Sequence, residues 1–175
     1  RRIGDADLVV LNGLGLDEWL ADLVKDAGTD APVVKLAENL EGVTYLEGGH
    51  TGAEGESTDE VASGTDADEV VNPHLWLNAA YAAKYAERIA EALAAADPDH
   101  AADYETGLAA YAKVLADLDA RAKDRLAAIP EANRTVVSFH DAFSYFAEAY
   151  GLTIDGTVVD APGQDPSAGD VSALI

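Results

Sequence analysis

The chain has 175 residues, 49 % of them hydrophobic, which is enough to bury a folded core. Its 33 acidic and 11 basic residues give a formal net charge of −22, which disfavours nucleic acid and anionic membrane surfaces as partners and favours cationic ligands. The acidity itself is interpreted mainly as a surface suited to solubility or to a salty habitat. The sequence contains no cysteine, so disulfides, thiolate chemistry and cysteine zinc sites are excluded, and a metal would have to bind His, Asp, Glu or water.

The first part of the chain alternates short apolar runs with a helical pattern. Residues 7–12 predict a buried strand, and Asp17 can cap the short helix that follows. Residues 33–37 predict a second strand and residues 43–48 a third, weaker one. This alternation is typical of a parallel sheet covered by helices.

A segment rich in Gly, Ser and acidic residues, 47–69, predicts a loop. His50 lies in it and is interpreted as a solvated loop residue, with weak metal contact as the alternative. Helix is predicted again from about residue 77, because apolar residues then recur every fourth position.

Asp97-Pro98 is a helix-start signal that opens the longest periodic stretch of the chain. Apolar residues recur at helical spacing as far as Ile129, which predicts a helix of about 30 residues, or about 45 Å. A helix of this length exceeds the face of one small domain, so it is predicted to bridge two lobes.

After Pro130 the strand–helix–strand plan of the first lobe begins again. Residues 135–139 predict a strand, 142–150 a helix that ends at Gly151, and 152–159 a further strand. The predicted organisation is therefore an α/β fold with an N-terminal lobe over 1–96, a spanning helix over 97–129, and the start of a C-terminal lobe over 130–175.

Four histidines are the candidate metal-binding residues. His100, next to acidic residues at the start of the long helix, is interpreted as solvated. His74, in the segment NPHLWLN, follows Pro73 in a stiff turn that the next apolar residues anchor to the core. Such a turn holds an imidazole in a fixed position, although a structural or capping role is the alternative.

His140 follows the predicted strand 135–139, at the edge of an α/β sheet where ligands bind, and a plain surface corner is the alternative. A cleft between lobes could bring it to His74. A hydrolase is the weaker interpretation, because no nucleophile elbow and no complete phosphate-binding glycine loop is found. In such an enzyme Ser138 would be the nucleophile or, in a zinc hydrolase, Asp141 would be the base.

Several segments, taken together and in this order, resemble the metal-binding solute-binding proteins of bacterial zinc and manganese ABC transporters. They are DADLVVLNGLGLDEWL, NPHLWLN, DPDHAADYETGLAAYAKVLADL, SFHDAFSYFAEAYGL and PGQDPSAGDVSALI, and they cover nearly the whole chain.

The resemblance implies two α/β lobes bridged by one long helix, with a metal site between the lobes. It assigns His74 and His140 as the second and third of four ligands, and it places the first, a histidine, ahead of Arg1 and the fourth, an acid, beyond Ile175. Family members often have Asp where Asn72 stands. Asn72 is therefore expected to make a weaker hydrogen bond beside the metal ligand than Asp would.

The resemblance also implies a function. His140 favours Zn²⁺ as the bound ion, since manganese carriers of this kind tend to have Glu there, and Mn²⁺ is the alternative. The expected protein is an extracytoplasmic, monomeric receptor, periplasmic or anchored at the cell surface as a lipoprotein. It would deliver the metal to an ABC transporter permease and would not be an enzyme; an adhesin or a scaffold is a further alternative.

Overall fold

The structure, a computed structural model, describes residues 3–48, 71–159 and Pro166. Its helices and strands are β1 (Val9–Leu11), α1 (Glu18–Asp26), β2 (Val33–Lys35), α2 (Ala79–Ala96), α3 (Ala101–Ala127), β3 (Thr135–Ser138), α4 (Ser144–Tyr150) and β4 (Thr153–Thr157). Three single 3₁₀ turns connect them, at Leu75–Leu77, Pro98–His100 and Glu131–Asn133.

Two separate parallel sheets, each of two strands joined through a helix, form the strand part of the fold. β1 pairs with β2 from Val9 opposite Val33 onward. β3 pairs with β4 with a register shift between Val136 and Val137. We refer to β1, α1, β2 and α2 as the first lobe and to β3, α4 and β4 as the second. The α/β fold class predicted from the alternation of elements is confirmed.

The long helix is present but begins later than the sequence predicts. The residues after Asp97 form a 3₁₀ turn, and α3 then runs for 27 residues, about 40 Å at 1.5 Å per residue. It packs along α2 and also contacts α4 of the second lobe, where the Tyr150 hydroxyl lies 3.2 Å from the Asp119 carboxylate. The domain boundaries at 96/97 and 129/130 stay a prediction.

The main core cluster lies in the first lobe but contains one side chain from the second. Its buried members are Leu36, Ala37, Leu75, Tyr85 and Tyr145. Tyr145 belongs to α4 and is 1 % exposed. The two lobes therefore share a core at this point.

The predicted third strand, residues 43–48, is wrong. Only Glu47 forms a bridge, antiparallel to Val71. Thr44 N donates instead to the Tyr81 hydroxyl, and Leu46 N to the Tyr145 hydroxyl. The apolar residues of the segment do pack on the core, but tyrosine hydroxyls rather than a neighbouring strand accept from its main chain.

The predicted cap Asp17 is at the expected position, but its side chain does not make the expected cap bond. Asp17 occupies the N-cap position of α1, but its carboxylate accepts from the backbone of Asn12 and Gly13 before the helix. At α4, the helix begins at Ser144 rather than 142, and the Asp141 carboxylate accepts from the Ser144 hydroxyl.

Predictions for the loop 47–69 beyond Gly48, for His50 and for the segment after Val159 concern residues outside those that the structure describes, Pro166 excepted. Among the helices that are described, none combines the length and the apolar character that crossing a membrane requires.

Candidate metal centre

The turn that carries His74 is fixed from both sides. Leu75, the next residue, is fully buried and begins the 3₁₀ turn that leads to α2. From the end of β1, the Asn12 side-chain amide donates to the Pro73 carbonyl at 3.1 Å, and the Tyr85 hydroxyl holds Asn12 through its Oδ1 at 3.0 Å. The backbone of the Pro73-His74 turn is therefore anchored to both β1 and α2.

The His74 ring is buried and is oriented by Asn72. Its Nδ1 lies 2.8 Å from Asn72 Oδ1, which also accepts from the His74 backbone N–H at 3.0 Å. An amide oxygen can only accept, so Nδ1 carries the hydrogen, and the lone pair of the neutral ring is on Nε2. That is the arrangement of a histidine prepared to bind a metal through Nε2.

His140 lies in a turn directly after β3, at the C-terminal end of the strand. Its backbone carbonyl accepts from the Ser138 hydroxyl and from Ala142 N, both at 2.7 Å. These two bonds fix the turn while its half-buried imidazole faces His74. Ser138 donates its hydroxyl hydrogen to this carbonyl, so it is not arranged as a nucleophile beside an imidazole base.

The structure brings the two predicted ligands together from different lobes. The ring centroids of His74 and His140 are 5.3 Å apart, with an angle of 61° between the planes. In a tetrahedral zinc site the Zn–N distance is about 2.0–2.1 Å, which places the centroids of two imidazoles on one ion roughly 5 Å apart. The observed spacing therefore suits a shared ion. The Trp76 ring centroid lies 5.2 Å from that of His74.

The surroundings of His74 favour its neutral form. Burial lowers the pKa of His74 below its ordinary value of 6.5, the nearby His140 lowers it further, and Asp141 opposes this with a smaller effect. Because only a neutral imidazole can ligate a metal, the lowered pKa reduces the competition of protons with the metal.

The remaining candidates lie elsewhere or act differently. His100 is exposed and bonded to the Asp97 carboxylate at 2.8 Å, as predicted. Asp141 bonds Ser144 through its side chain and Asn72 through its carbonyl oxygen. Within 3–48 and 71–159, no group of three or more His, Asp or Glu side chains is placed to hold a metal. Two histidines are thus what the described part of the chain brings to the site.

Sequence reasoning missed three side chains that support the site, namely Asn12, Tyr85 and Tyr145. Asn12 carried a usable signal, since it directly follows the C-terminal end of β1, and the C-terminal ends of parallel strands are where ligands bind. The two tyrosines carried no such signal, because a buried tyrosine in an apolar stripe gives the same sequence pattern whether or not its hydroxyl bonds a distant loop.

Comparisons with known proteins agree with this architecture. The family model described as zinc-uptake complex component A, periplasmic, matches residues 1–175. A manganese-binding lipoprotein, MntA, of Halalkalibacterium halodurans is 31 % identical over 173 residues, which are 99 % of this chain and 51 % of MntA. A metal ABC transporter substrate-binding lipoprotein, FimA, of Streptococcus parasanguinis is 33 % identical over 158 residues, 87 % of this chain and 46 % of FimA.

Among solved structures, a crystal structure of ZnuA matches with a TM-score of 0.75 and 28 % identity over 99 % of this chain and 58 % of that one. The chain spans about half the length of the curated relatives it matches. As its sequence motifs predicted, it belongs to the zinc-uptake complex component A family, whose members are extracytoplasmic metal-binding components of transporters rather than enzymes.

Proposed function

We propose that the complete protein is the extracytoplasmic receptor of a metal importer, which captures one divalent transition-metal ion and passes it to an ABC transporter permease. The observation that carries this proposal is the placement of His74 and His140, from different lobes, at a spacing that suits one ion. A site divided between two lobes can release its ion when the lobes move apart, which delivery to a permease requires.

The metal is proposed to be Zn²⁺, with Mn²⁺ as the alternative. Two neutral imidazoles are ligands that Zn²⁺ prefers, whereas Mn²⁺ prefers sites rich in carboxylate and other oxygen ligands. The family description supports zinc, and the name of the relative MntA supports manganese for that relative. With a further histidine and an acid, as the resemblance implies, the four ligands would close a tetrahedral zinc site.

The partners follow from the same proposal. The metal ion is the cargo, and the permease receives it. The acidic chain, with a net charge of −22, is suited to attracting cations and not to binding nucleic acid. The receptor is proposed to act as a monomer, either free in the periplasm or anchored as a lipoprotein.

Replacement of His140 tests this function. Loss of a partner that only orients a ligand typically lowers metal affinity about 10–100-fold, so loss of a ligand should cost more than that. We expect His140→Ala to weaken Zn²⁺ binding to the complete protein by more than about 100-fold in calorimetry.

His100→Ala is the matched control, because it removes an exposed histidine that is bonded to Asp97. It should leave Zn²⁺ affinity unchanged. Unchanged affinity in His140→Ala would refute the proposed site. Repeating the titration with Mn²⁺ tests the choice of metal, since equal or tighter Mn²⁺ binding would contradict zinc.

A further inference from the structure

We propose that Asn72 is the positioning residue of this metal centre, and that its one side-chain amide does two things. It sets the tautomer of His74, and it ties His74 to the main chain beside His140 in the other lobe. This inference rests on the proposed function, because it concerns how the two metal ligands are held before the ion arrives.

The oxygen of the amide acts on His74. Asn72 Oδ1 accepts from the His74 backbone at 3.0 Å and lies 2.8 Å from Nδ1 of the same residue. Both contacts require an acceptor at this position. The ring is thus held with its hydrogen on Nδ1 and its free lone pair on Nε2, before any metal binds.

The nitrogen of the amide acts on the second lobe. Asn72 Nδ2 donates to the Asp141 carbonyl at 3.0 Å, and Asp141 is the neighbour of His140 in the chain. One side chain therefore bonds a proposed ligand in the first lobe and the residue adjacent to a proposed ligand in the second. The distance between the two imidazoles depends on this link.

The amide cannot reverse its orientation without losing both functions. A flipped amide would point its NH₂ group at the two His74 donors and its oxygen at the Asp141 carbonyl. Asn72 is 1 % exposed, so no water could compensate for those lost bonds. Its backbone is fixed as well, because its N–H donates to Leu46 O at 2.8 Å and its carbonyl accepts from the Tyr145 hydroxyl at 2.9 Å.

The choice of Asn over Asp at this position separates the two functions. A carboxylate could still accept from His74 Nδ1–H, but it could not donate to the Asp141 carbonyl. Asn72→Asp should therefore keep the tautomer and break the link between lobes. Asn72→Leu, of similar volume, should lose both.

The tautomer can be read directly in the metal-free protein. Long-range ¹H–¹⁵N correlation spectra of the complete protein, recorded near pH 8 where imidazoles are neutral, distinguish Nδ1–H from Nε2–H. We expect His74 to be in the Nδ1–H form in the parent protein and in Asn72→Asp. In Asn72→Leu we expect a mixture of tautomers.

Zinc calorimetry on the same proteins measures how much metal affinity depends on the two amide contacts. Asn72→Leu, which loses both of them without adding a charge, should bind Zn²⁺ about 10–100-fold more weakly than the parent protein. His100→Ala, which removes an exposed histidine bonded to Asp97, is the control and should keep both the tautomer of His74 and the zinc affinity of the parent protein.

Three results would overturn the inference: His74 as Nε2–H in the parent protein, a pure Nδ1–H tautomer in Asn72→Leu, or parent-like zinc affinity in Asn72→Leu. The first result is measured on the parent protein alone, so the inference can be tested even if Asn72→Leu misfolds. If the parent protein bound neither Zn²⁺ nor Mn²⁺, the proposed function would fail, and the tautomer of metal-free His74 would still test the positioning role separately.

Discussion

The residues around His74 form an environment that favours the neutral imidazole over the charged one. The imidazole is buried, its Nδ1–H is bonded to an uncharged amide, and a second imidazole faces it. Of these features, burial and the facing His140 lower the pKa of His74, which favours the neutral ring. The lowered pKa should also reduce the stability of the metal-free protein at acidic pH.

Acidification should destabilise the metal-free protein through His74. Its pKa lies below 6.5 in the folded protein and near 6.5 in the unfolded chain, so between these values only the unfolded chain holds the proton. The free energy of unfolding should therefore decrease as the pH falls below 6.5, and this loss should be complete once the pH has passed the folded-state pKa.

Urea unfolding of the complete protein at about pH 7.5 and about pH 5.5, with and without His74→Gln, measures this contribution. Other titrating groups are common to both proteins, so the variant should lose less stability on acidification than the parent. An equal or larger loss in the variant would contradict the assignment.

At the scale of elements, two helix glycines differ in whether the backbone requires glycine at their position. Gly151 ends α4 in the left-handed region with φ +71°, as the sequence predicted for a helix stop. Gly107 lies inside α3, where a Cβ atom would meet nothing within 4 Å. The same substitution should therefore have opposite effects at the two positions.

We expect Gly151→Ala to lower the free energy of unfolding by about 1–2 kcal/mol, because an L side chain is strained at positive φ. Gly107→Ala should raise it by roughly 0.5–1 kcal/mol, because alanine costs less backbone entropy in a helix. Urea unfolding of both variants is the measurement. A change of the same sign in both would refute this account of the two helices.

The features that sequence reasoning misassigned differ from the prediction in their hydrogen-bond partners. Residues 43–48 have the alternation of a strand, but the side chains of Tyr81 and Tyr145 take two of their backbone donors. Asp17 has the position of a cap, but it bonds the preceding turn. For residues 43–48 the replacing bonds are tertiary, and local patterns contain no information about tertiary partners. For Asp17 one local bonding pattern replaced another.

The meeting of His74 and His140, by contrast, was predictable. A proline-stiffened turn anchored by Leu75 and the C-terminal end of a parallel strand are both local features, and both indicate where a side chain will be held. The double role of Asn72 was not predictable, because its Nδ2 bonds a carbonyl 69 positions away in the chain.

At the scale of the whole molecule, Tyr145 makes the stability of the first lobe depend on the second. It lies in α4, yet it is buried among Leu36, Ala37 and Tyr85 of the first lobe, and its hydroxyl bonds both Leu46 and Asn72. Such a shared core limits how freely the lobes can separate in this region.

Tyr145→Ala should therefore loosen the first lobe, at a cost of about 3–5 kcal/mol by analogy with other buried aromatic residues. Hydrogen exchange at the Leu36 and Ala37 amides, which donate to Leu11 and Asn12 carbonyls, is the readout, and it should become faster by orders of magnitude.

Tyr111→Ala is the control, because that side chain is 54 % exposed on α3. Its effect should stay within about 0.5 kcal/mol. Faster exchange confined to the second lobe in Tyr145→Ala would contradict a shared core.

The central claim is that His74 and His140, one from each lobe, bind the same metal ion. Crystals of the complete protein grown with one equivalent of Zn²⁺, with anomalous diffraction collected at the zinc edge, test it most directly. We predict one anomalous peak at about 2.0–2.1 Å from an imidazole nitrogen of each histidine, with Nε2 as the coordinating atom of His74. A peak that contacts only one of these rings, or neither, would contradict the claim.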